Sequence, residues 1–448
     1  MRVKKLSNRL VLLSLTVVVM LAVCPFLNAA CASARSAHST TGKPAAPPMA
    51  VASDVVTEWN QQAVSLTLAP ASALAPVQQA RVMAIFQLAV HDAVNGITGE
   101  YETYLSPPAA PENASAEAAA IAAAHHALRN LFPASGAQLD FQYVTSLTLH
   151  GVSLSDAGIE YGRSAAAAIL AVRANDHSGE AQFPYDAPGA GNPGVWVRLN
   201  NAPALLPGWG NVTPFVIRSA SQFDPGPPPA LNSDTYTTDY NEIKQIGVKL
   251  SSTRTSEQSD IALFWRASPT AIWNSVLTQV METRNLNLSE KARLFALMYL
   301  ATGDASIACW GTKYEYNFWR PEPAIINGGL DGNNSTIADA SWQPFIPTPP
   351  HPDYPSGHTT NSSAMAKVLM LEFGDNPGIP ITVTLSGITR HWNSFSEGVQ
   401  EVIDARVYSG IHWRNSDEVG ARMGRQIAQF VYRHSLRRSP NGKSAERN

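Results

Sequence analysis

Three short stretches gather the side chains that could do chemistry. KYEYNFWRP (313–321) sets Lys313 and Arg320 seven positions apart among four aromatic residues. A solvated charge pair needs no such frame, whereas a small anion held away from water does. HPDYPSGHTT (351–360) places Ser356, Gly357 and His358 after Pro355. A turn opening a helix there would offer a hydroxyl, free backbone N–H groups and the positive end of the helix dipole. ARVYSGIHW (405–413) puts Arg406 and His412 six positions apart, near the end of a predicted helix. Singly, each is bland: Lys and Arg at this spacing are commonly surface charges, Ser-Gly-His is a common helix start, and Arg-x5-His says almost nothing. Together they supply two guanidinium groups, an ammonium, a hydroxyl, a backbone N–H and two imidazoles, a set suited to a tetrahedral or trigonal-bipyramidal oxyanion. One histidine would bond the central atom and the other would move protons.

Positioning these groups falls to helices. In PVQQARVMAIFQLAVHDAVNGI, Val82, Ile85, Phe86, Ala89, Ala93 and Ile97 share one face at helical spacing. ASAEAAAIAAAHHALRNLF and SDAGIEYGRSAAAAILAVRAND read as alanine-rich helices suited to close packing. A Gly/Pro-rich segment at 177–235 follows, too long for an idle connection and read as functional or wrapping. The helical period resumes in SEQSDIALFW, ASPTAIWNSVLTQVMETRN and LSEKARLFALMYLATGDASIACW, then after Pro355 and over Glu397–Tyr408. Lys313 and Arg320 would lie two helical turns apart, pointing into one cavity, with Pro321 limiting the helix. VWVRL and ITVTL are the only strand candidates. The expectation is an all-α protein of packed bundles with long connecting loops. Its N-terminal helical region would run over 56–240 and its C-terminal region, carrying the oxyanion site, over 241–436.

The amino terminus reads as a secretory signal. MRVKKLSNR carries four cations and no acid, an apolar run follows, and NAACASA offers cleavage after Ala32 or Ala34. Residues 1–34 are thus expected to leave, 35–55 to form a flexible leader, and 437–448 a disordered tail. Losing Arg2, Lys4, Lys5 and Arg9 takes the formal net charge from −3 to −7. That disfavours nucleic acid or an anionic membrane as partner. Any anion site must be a local concentration of cations. Cys24 and Cys31 leave with the signal, so Cys309 has no partner for a disulfide. No zinc-ligand spacing appears.

K-x6-R-P, P-S-G-H and R-x5-H, complete here in Lys313–Pro321, Pro355–His358 and Arg406–His412, resemble the signature of the acid phosphatase and vanadium-dependent haloperoxidase superfamily. HDAVN (91–95) and the upstream helices look like its long bacterial haloperoxidase-like members. The resemblance implies two four-helix bundles. It also implies that Lys313, Arg320, Ser356, Gly357 and Arg406 hold the equatorial oxygens of vanadate, with phosphate able to take the site in the apo form. His412 would be the axial ligand to vanadium, or the nucleophile toward phosphorus, and His358 the acid–base residue. Hydrogen peroxide, a halide and an organic acceptor would be the small-molecule partners. No stable membrane insertion is expected after signal cleavage, and a homo-oligomer is left open.

Three readings follow: a haloperoxidase, a secreted phosphatase acting through a phosphohistidine, or an oxyanion-binding protein without turnover. The phosphatase pattern carries an aspartate four residues after its nucleophilic histidine. Ser416 stands there, with Asp417 one step later. Trp310 stands three before Lys313, as in fungal chloroperoxidases. His351 stands seven before His358, where algal bromoperoxidases carry histidine and chloroperoxidases phenylalanine. This mixture favours bromide or iodide. Glu257 and Asp260 would either orient Arg406 or be exposed acids at a helix start. His391, His125 and His126 read as structural or surface residues, and Asp92 as an internal cap or pair.

Overall fold

The computed structural model describes residues 53–440, so the signal segment, most of the leader and the last eight residues lie outside the described part. Asp54 caps α1 (Val55–Leu68) by accepting from Val56 and Thr57, and Pro76 occupies the first position of α2 (Pro76–Thr98). The helices α3 (Ala116–Leu131), α4 (Gly136–Leu149) and α5 (Ala157–Arg173) complete a first helical group. Their alanines let α3 lie close to both α2 and α5. A second group is built around α9 (Leu288–Tyr316), α11 (Gly357–Phe373), α12 (Phe395–Tyr408) and α13 (Arg414–His434), preceded by α6 (Asp234–Ile246), α7 (Ser256–Phe264) and α8 (Pro269–Glu282). The short α10 (Pro321–Ile326) follows α9.

Helix α9, about 43 Å long at 1.5 Å per residue, is the shared axis. It packs on α2 of the first group and on α11 and α13 of the second. It is long and apolar enough to cross a membrane, but its most apolar window is 94% buried inside the protein. Helix α13 meets α11 backbone to backbone: a Cβ on Gly424 would stand 2.1 Å from the Thr360 carbonyl oxygen. This close approach fixes α11, whose first turn carries Gly357 and His358.

The long segment after α5 wraps α9. Asp304, buried in α9, accepts from the N–H groups of Phe215, Val216 and Ile217 at 2.6, 2.9 and 2.9 Å. Further along, the Leu205 carbonyl accepts from Trp310 Nε1 (3.2 Å) and Tyr314 Oη (2.7 Å). Of the two strand candidates, ITVTL forms β1 (Ile381–Leu385), paired antiparallel with β2 (Ile388–Trp392). VWVRL does not form a strand; Val195 makes a single bridge to Phe318, because its neighbours turn away through Gly194 and Asn200. Within the described residues, the chain at 437–439 is tied to residues 100–102. Glu102 N donates to the Arg437 carbonyl and Ser439 N to that of Glu100, with an Arg437–Glu102 ion pair beside them. Asp92 accepts from Tyr104 N and Leu105 N as an internal anchor, and His391 bonds Thr382 across the hairpin.

Candidate functional site

Lys313 is fully buried on the last turn of α9, with Nζ donating to the carbonyls of Pro352 (2.9 Å) and Asp353 (2.7 Å). The helix does not continue to Arg320. Asn317 takes the left-handed conformation (φ 48°) and ends α9, and Arg320 is extended ahead of Pro321. Asparagine tolerates that conformation, and a residue before proline is pushed from the helical region. Lys313 and Arg320 therefore reach one site from a helix and from the loop after it, not from two turns of one helix. The aromatic residues between them are the clamp: Phe318 and Trp319 pack with Tyr354 and Trp413 in a second core cluster.

Arg320 spans the site floor. Its Nε donates to the His351 carbonyl (2.8 Å), Nη1 to the Ile411 carbonyl (2.6 Å), and Nη2 approaches His351 Nδ1 at 3.0 Å. Its Nη1 also lies 3.1 Å from His412 Nε2. A guanidinium only donates, so Nε2 of His412 carries the lone pair and Nδ1 the proton. That proton faces Asp353, whose Oδ1 lies 2.9 Å from Nδ1, a close polar contact off the line of an ideal hydrogen bond. Asp353 also accepts from Ser416 Oγ and lies 3.8 Å from Arg320. Gly410 (φ 78°) turns the chain between α12 and α13 so that His412 points inward; a Cβ there would meet the Gly247 carbonyl at 2.3 Å.

Ser356 stands at the N-cap position of α11 without a side-chain cap bond, and its N–H donates to the Ser416 carbonyl (3.0 Å). His358 follows in the first turn, its ring held by the Ala267 carbonyl. Arg406, on the last turn of α12, donates Nη1 to the Trp265 carbonyl (2.9 Å). Ser356 Oγ has the buried Asp417 carboxyl beside it, and among the described residues the buried His358 Nε2 and Arg406 Nε have no hydrogen-bond partner. Buried polar groups are rarely left so. Arg406, His358, His412 and Gly357 line one cavity of about 170 Å³, together with Trp310 and His351. Trp310 and His351 face each other with ring centroids 4.9 Å apart.

Burial sets the electrostatics. It pushes the imidazoles of His351, His358 and His412 well below their usual range, aided by Arg320 or Arg406, so all three are neutral. It also holds Lys313 down to about 7 and lifts the Asp353 carboxyl to about 6, against the pull of Arg320 and Lys313. Asp417, behind Ser356 and Arg406, is held well above the carboxylate range, first by burial and then by Asp353. Three cationic side chains, a hydroxyl, helix N-terminal N–H groups and an imidazole lone pair form a donor set that fits a multiply charged tetrahedral oxyanion.

Such an anion favours charged Lys313, so affinity should carry the lysine's titration. Free Lys313 loses its proton as pH rises through about 7, and the bound complex retains it to higher pH. Affinity for sulfate, whose own charge is constant, is expected to fall by up to about tenfold per pH unit above 7. Calorimetric titration from pH 6 to 9 checks this, and a Lys313→Met variant should flatten the slope. A second expectation concerns Gly357, where a Cβ would stand 2.9 Å from the Trp310 ring. Gly357→Ala should destabilise the fold by about 1–3 kcal/mol through overpacking, read by denaturant unfolding.

The structure brings together Lys313, Arg320, Ser356, Gly357, His358, Arg406 and His412, with Trp310 and His351 beside them. Glu257 does not join them. It is exposed and pairs with Arg390 at 2.5 Å, and Asp260, one turn on, is exposed too. The acid that offsets Arg406 is Asp417, reached from the first turn of α13. Asp353 takes the place beside His412 that the phosphatase pattern gives to an aspartate four residues downstream. Its signal was an acid inside the rigid HPDYP stretch, two residues from a histidine.

A family model described as the VCPO second helical-bundle domain matches residues 293–440, which hold all three motifs. The chain is 24% identical over 453 aligned residues to the vanadium chloroperoxidase of Curvularia inaequalis, across 76% of this chain and 74% of that one. It superposes on the first bacterial vanadium-dependent iodoperoxidase structure with a TM-score of 0.75 and 27% identity, over 86% of this chain and 97% of that one. A holo-type bacterial vanadium-dependent chloroperoxidase shares the fold at a TM-score of 0.66 and 19% identity, over 85% and 98% of the two chains. With the motifs in order, residues 293–440 match the second helical bundle of the vanadium chloroperoxidases, and the chain is similar in fold to bacterial vanadium-dependent haloperoxidases.

Proposed function

We propose that the chain is a vanadate-dependent haloperoxidase that oxidises iodide or bromide with hydrogen peroxide and so halogenates small organic acceptors. The observation that carries this is the His412 ring. Its Nδ1 lies against Asp353, its Nε2 accepts from Arg320, and it lines a cavity where His358 Nε2 and Arg406 Nε have no hydrogen-bond partner among the described residues. Vanadate fits that donor set. Arg320, Arg406 and Lys313 would hold its oxygens with Ser356 Oγ and the Gly357 N–H, and His412 Nε2 would bind the vanadium. When bound, vanadate supplies the Lewis acidity that activates peroxide toward a halide without changing oxidation state.

The chain's own groups do the rest. The three cations neutralise oxyanion charge in a site closed to bulk water, where their field is strong. Neutral His358 accepts a proton from the incoming peroxide at Nε2. Because burial and Arg406 disfavour its imidazolium, that proton is readily returned to the departing oxygen. Iodide or bromide is proposed over chloride because a second imidazole, His351, stands against Trp310 and engages Arg320. The resemblance to an iodoperoxidase structure adds support. With vanadate-loaded protein and peroxide, kcat/KM should fall in the order iodide, bromide, chloride. Chloride turnover equal to that of bromide would overturn the halide assignment.

We also propose export, from the basic, apolar and small-residue pattern of residues 1–34, which lies outside the described residues. The mass of protein recovered from culture medium or periplasm should correspond to a start after Ala32 or Ala34; an intact amino terminus would contradict it.

A further inference from the structure

Asn361 is the one side-chain amide lining the inner cavity. It lies one turn beyond Gly357 and three residues beyond His358 on α11, a spacing that makes it a surface neighbour of both. That face meets α9 in register. Trp310 lies over Gly357, and Ser306, one turn before Trp310, donates to Asn361 Oδ1 at 3.1 Å. This bond orients the amide: with Oδ1 engaged by Ser306, Nδ2 is directed to the cavity, where it has no partner among the described residues. The residue is only 4% exposed. A buried amide hydrogen pair facing a cavity without an acceptor is a site for one.

The surroundings select the acceptor. Beside the polar groups of His351, His358, His412 and Arg406, the cavity is walled by the apolar Trp310, Leu205, Pro76, Pro269 and Pro349. A strongly hydrated anion would forfeit its water shell to enter. A large, polarisable monoanion loses less, and it gains dispersion contact with the indole and the proline rings. The cations Arg406 and Arg320 attract it from the oxyanion end, whereas Asn361 adds directional hydrogen bonding without adding charge.

We propose that Asn361 is a specificity-determining halide donor: its Nδ2, fixed by Ser306, holds a large halide against Trp310. This rests on the haloperoxidase reading above and deepens it by naming the residue that receives the halide.

The test uses the full mature chain loaded with vanadate. Asn361→Leu removes the donor at similar volume, and Asn361→Leu combined with Ser306→Ala also removes the hydroxyl left without a partner. Asn361→Asp keeps the Ser306 bond and turns an acceptor toward the halide. The apparent KM for iodide is expected to rise about tenfold or more in the leucine variants, and further in Asn361→Asp. The kcat at saturating halide and the vanadate Kd should stay within about twofold of the parent. A readout independent of turnover is the anomalous signal of bromide in crystals soaked without vanadate. A peak within hydrogen-bonding reach of Nδ2 in the parent, absent in Asn361→Leu, is expected. An unchanged iodide KM in a vanadate-loaded variant would overturn the proposal. So would a vanadate Kd that rises in step with the KM, which would assign Asn361 to the oxyanion. A parent protein that binds vanadate but oxidises no halide would instead sink the reading beneath it.

Discussion

His412→Ala is expected to weaken vanadate binding by on the order of a thousandfold, about 4 kcal/mol, and to abolish halide oxidation at micromolar vanadate. The cations of the cradle attract any oxyanion, whereas His412 is the residue assigned to bond the central atom, His358 being kept for proton transfer. Its tautomer is fixed on both sides, by Asp353 at Nδ1 and by donor groups of Arg320 at Nε2. The variant should therefore retain weak, salt-sensitive binding of vanadate and sulfate alike, losing the preference for vanadate. Equilibrium dialysis with both anions separates the two effects. Undiminished vanadate affinity in the variant would show that the bound anion is held by charge alone.

Asp353→Asn should have the second-largest effect, and its sign discriminates. Removing a buried acid beside an anion site relieves repulsion, so charge alone predicts tighter oxyanion binding. Orientation predicts the reverse, because Asp353 faces the His412 Nδ1–H at 2.9 Å and anchors Ser416. Supporting groups of this kind commonly matter by about 10–100-fold in metal affinity. We expect orientation to win: vanadate affinity falls, while sulfate affinity, which needs no lone pair, holds or rises. Stability should drop by about 3–5 kcal/mol, since Lys313 and Arg320 are left buried without their acid. Tighter vanadate binding in this variant would reduce Asp353 to a charge balance.

The sequence carried the cradle but not its geometry. Lys313, Arg320, Ser356, His358, Arg406 and His412 are legible because each lies in a short motif whose residue types state their chemistry. The break between Lys313 and Arg320 is not legible from helical spacing, since it rests on one left-handed asparagine, Asn317, whose tolerance of that conformation is a local option and not a periodicity. Asp353 and Asp417 escaped for a different reason. Their roles come from burial and from helices brought together across the fold, which single-chain spacing does not report. Glu257, by contrast, looked available for Arg406, yet α7 turns it outward to Arg390. The wrapping segment was legible as a long Gly/Pro-rich run, but that Leu205 within it would join the wall beside Trp310 depends on Asp304 anchoring residues 215–217. The two-bundle architecture was legible from helical periodicity together with the family resemblance.

The central claim is that this cradle works on vanadate rather than on phosphate esters. Its most direct test is a single preparation of apo-protein assayed for peroxide-driven iodide oxidation as vanadate is titrated in, beside hydrolysis of p-nitrophenyl phosphate. The account predicts iodide oxidation that rises from background and saturates at one vanadate per chain, with phosphate release slow and suppressed by the same vanadate. Steady phosphate release without added vanadate, and no halide oxidation at any vanadate concentration, would contradict it.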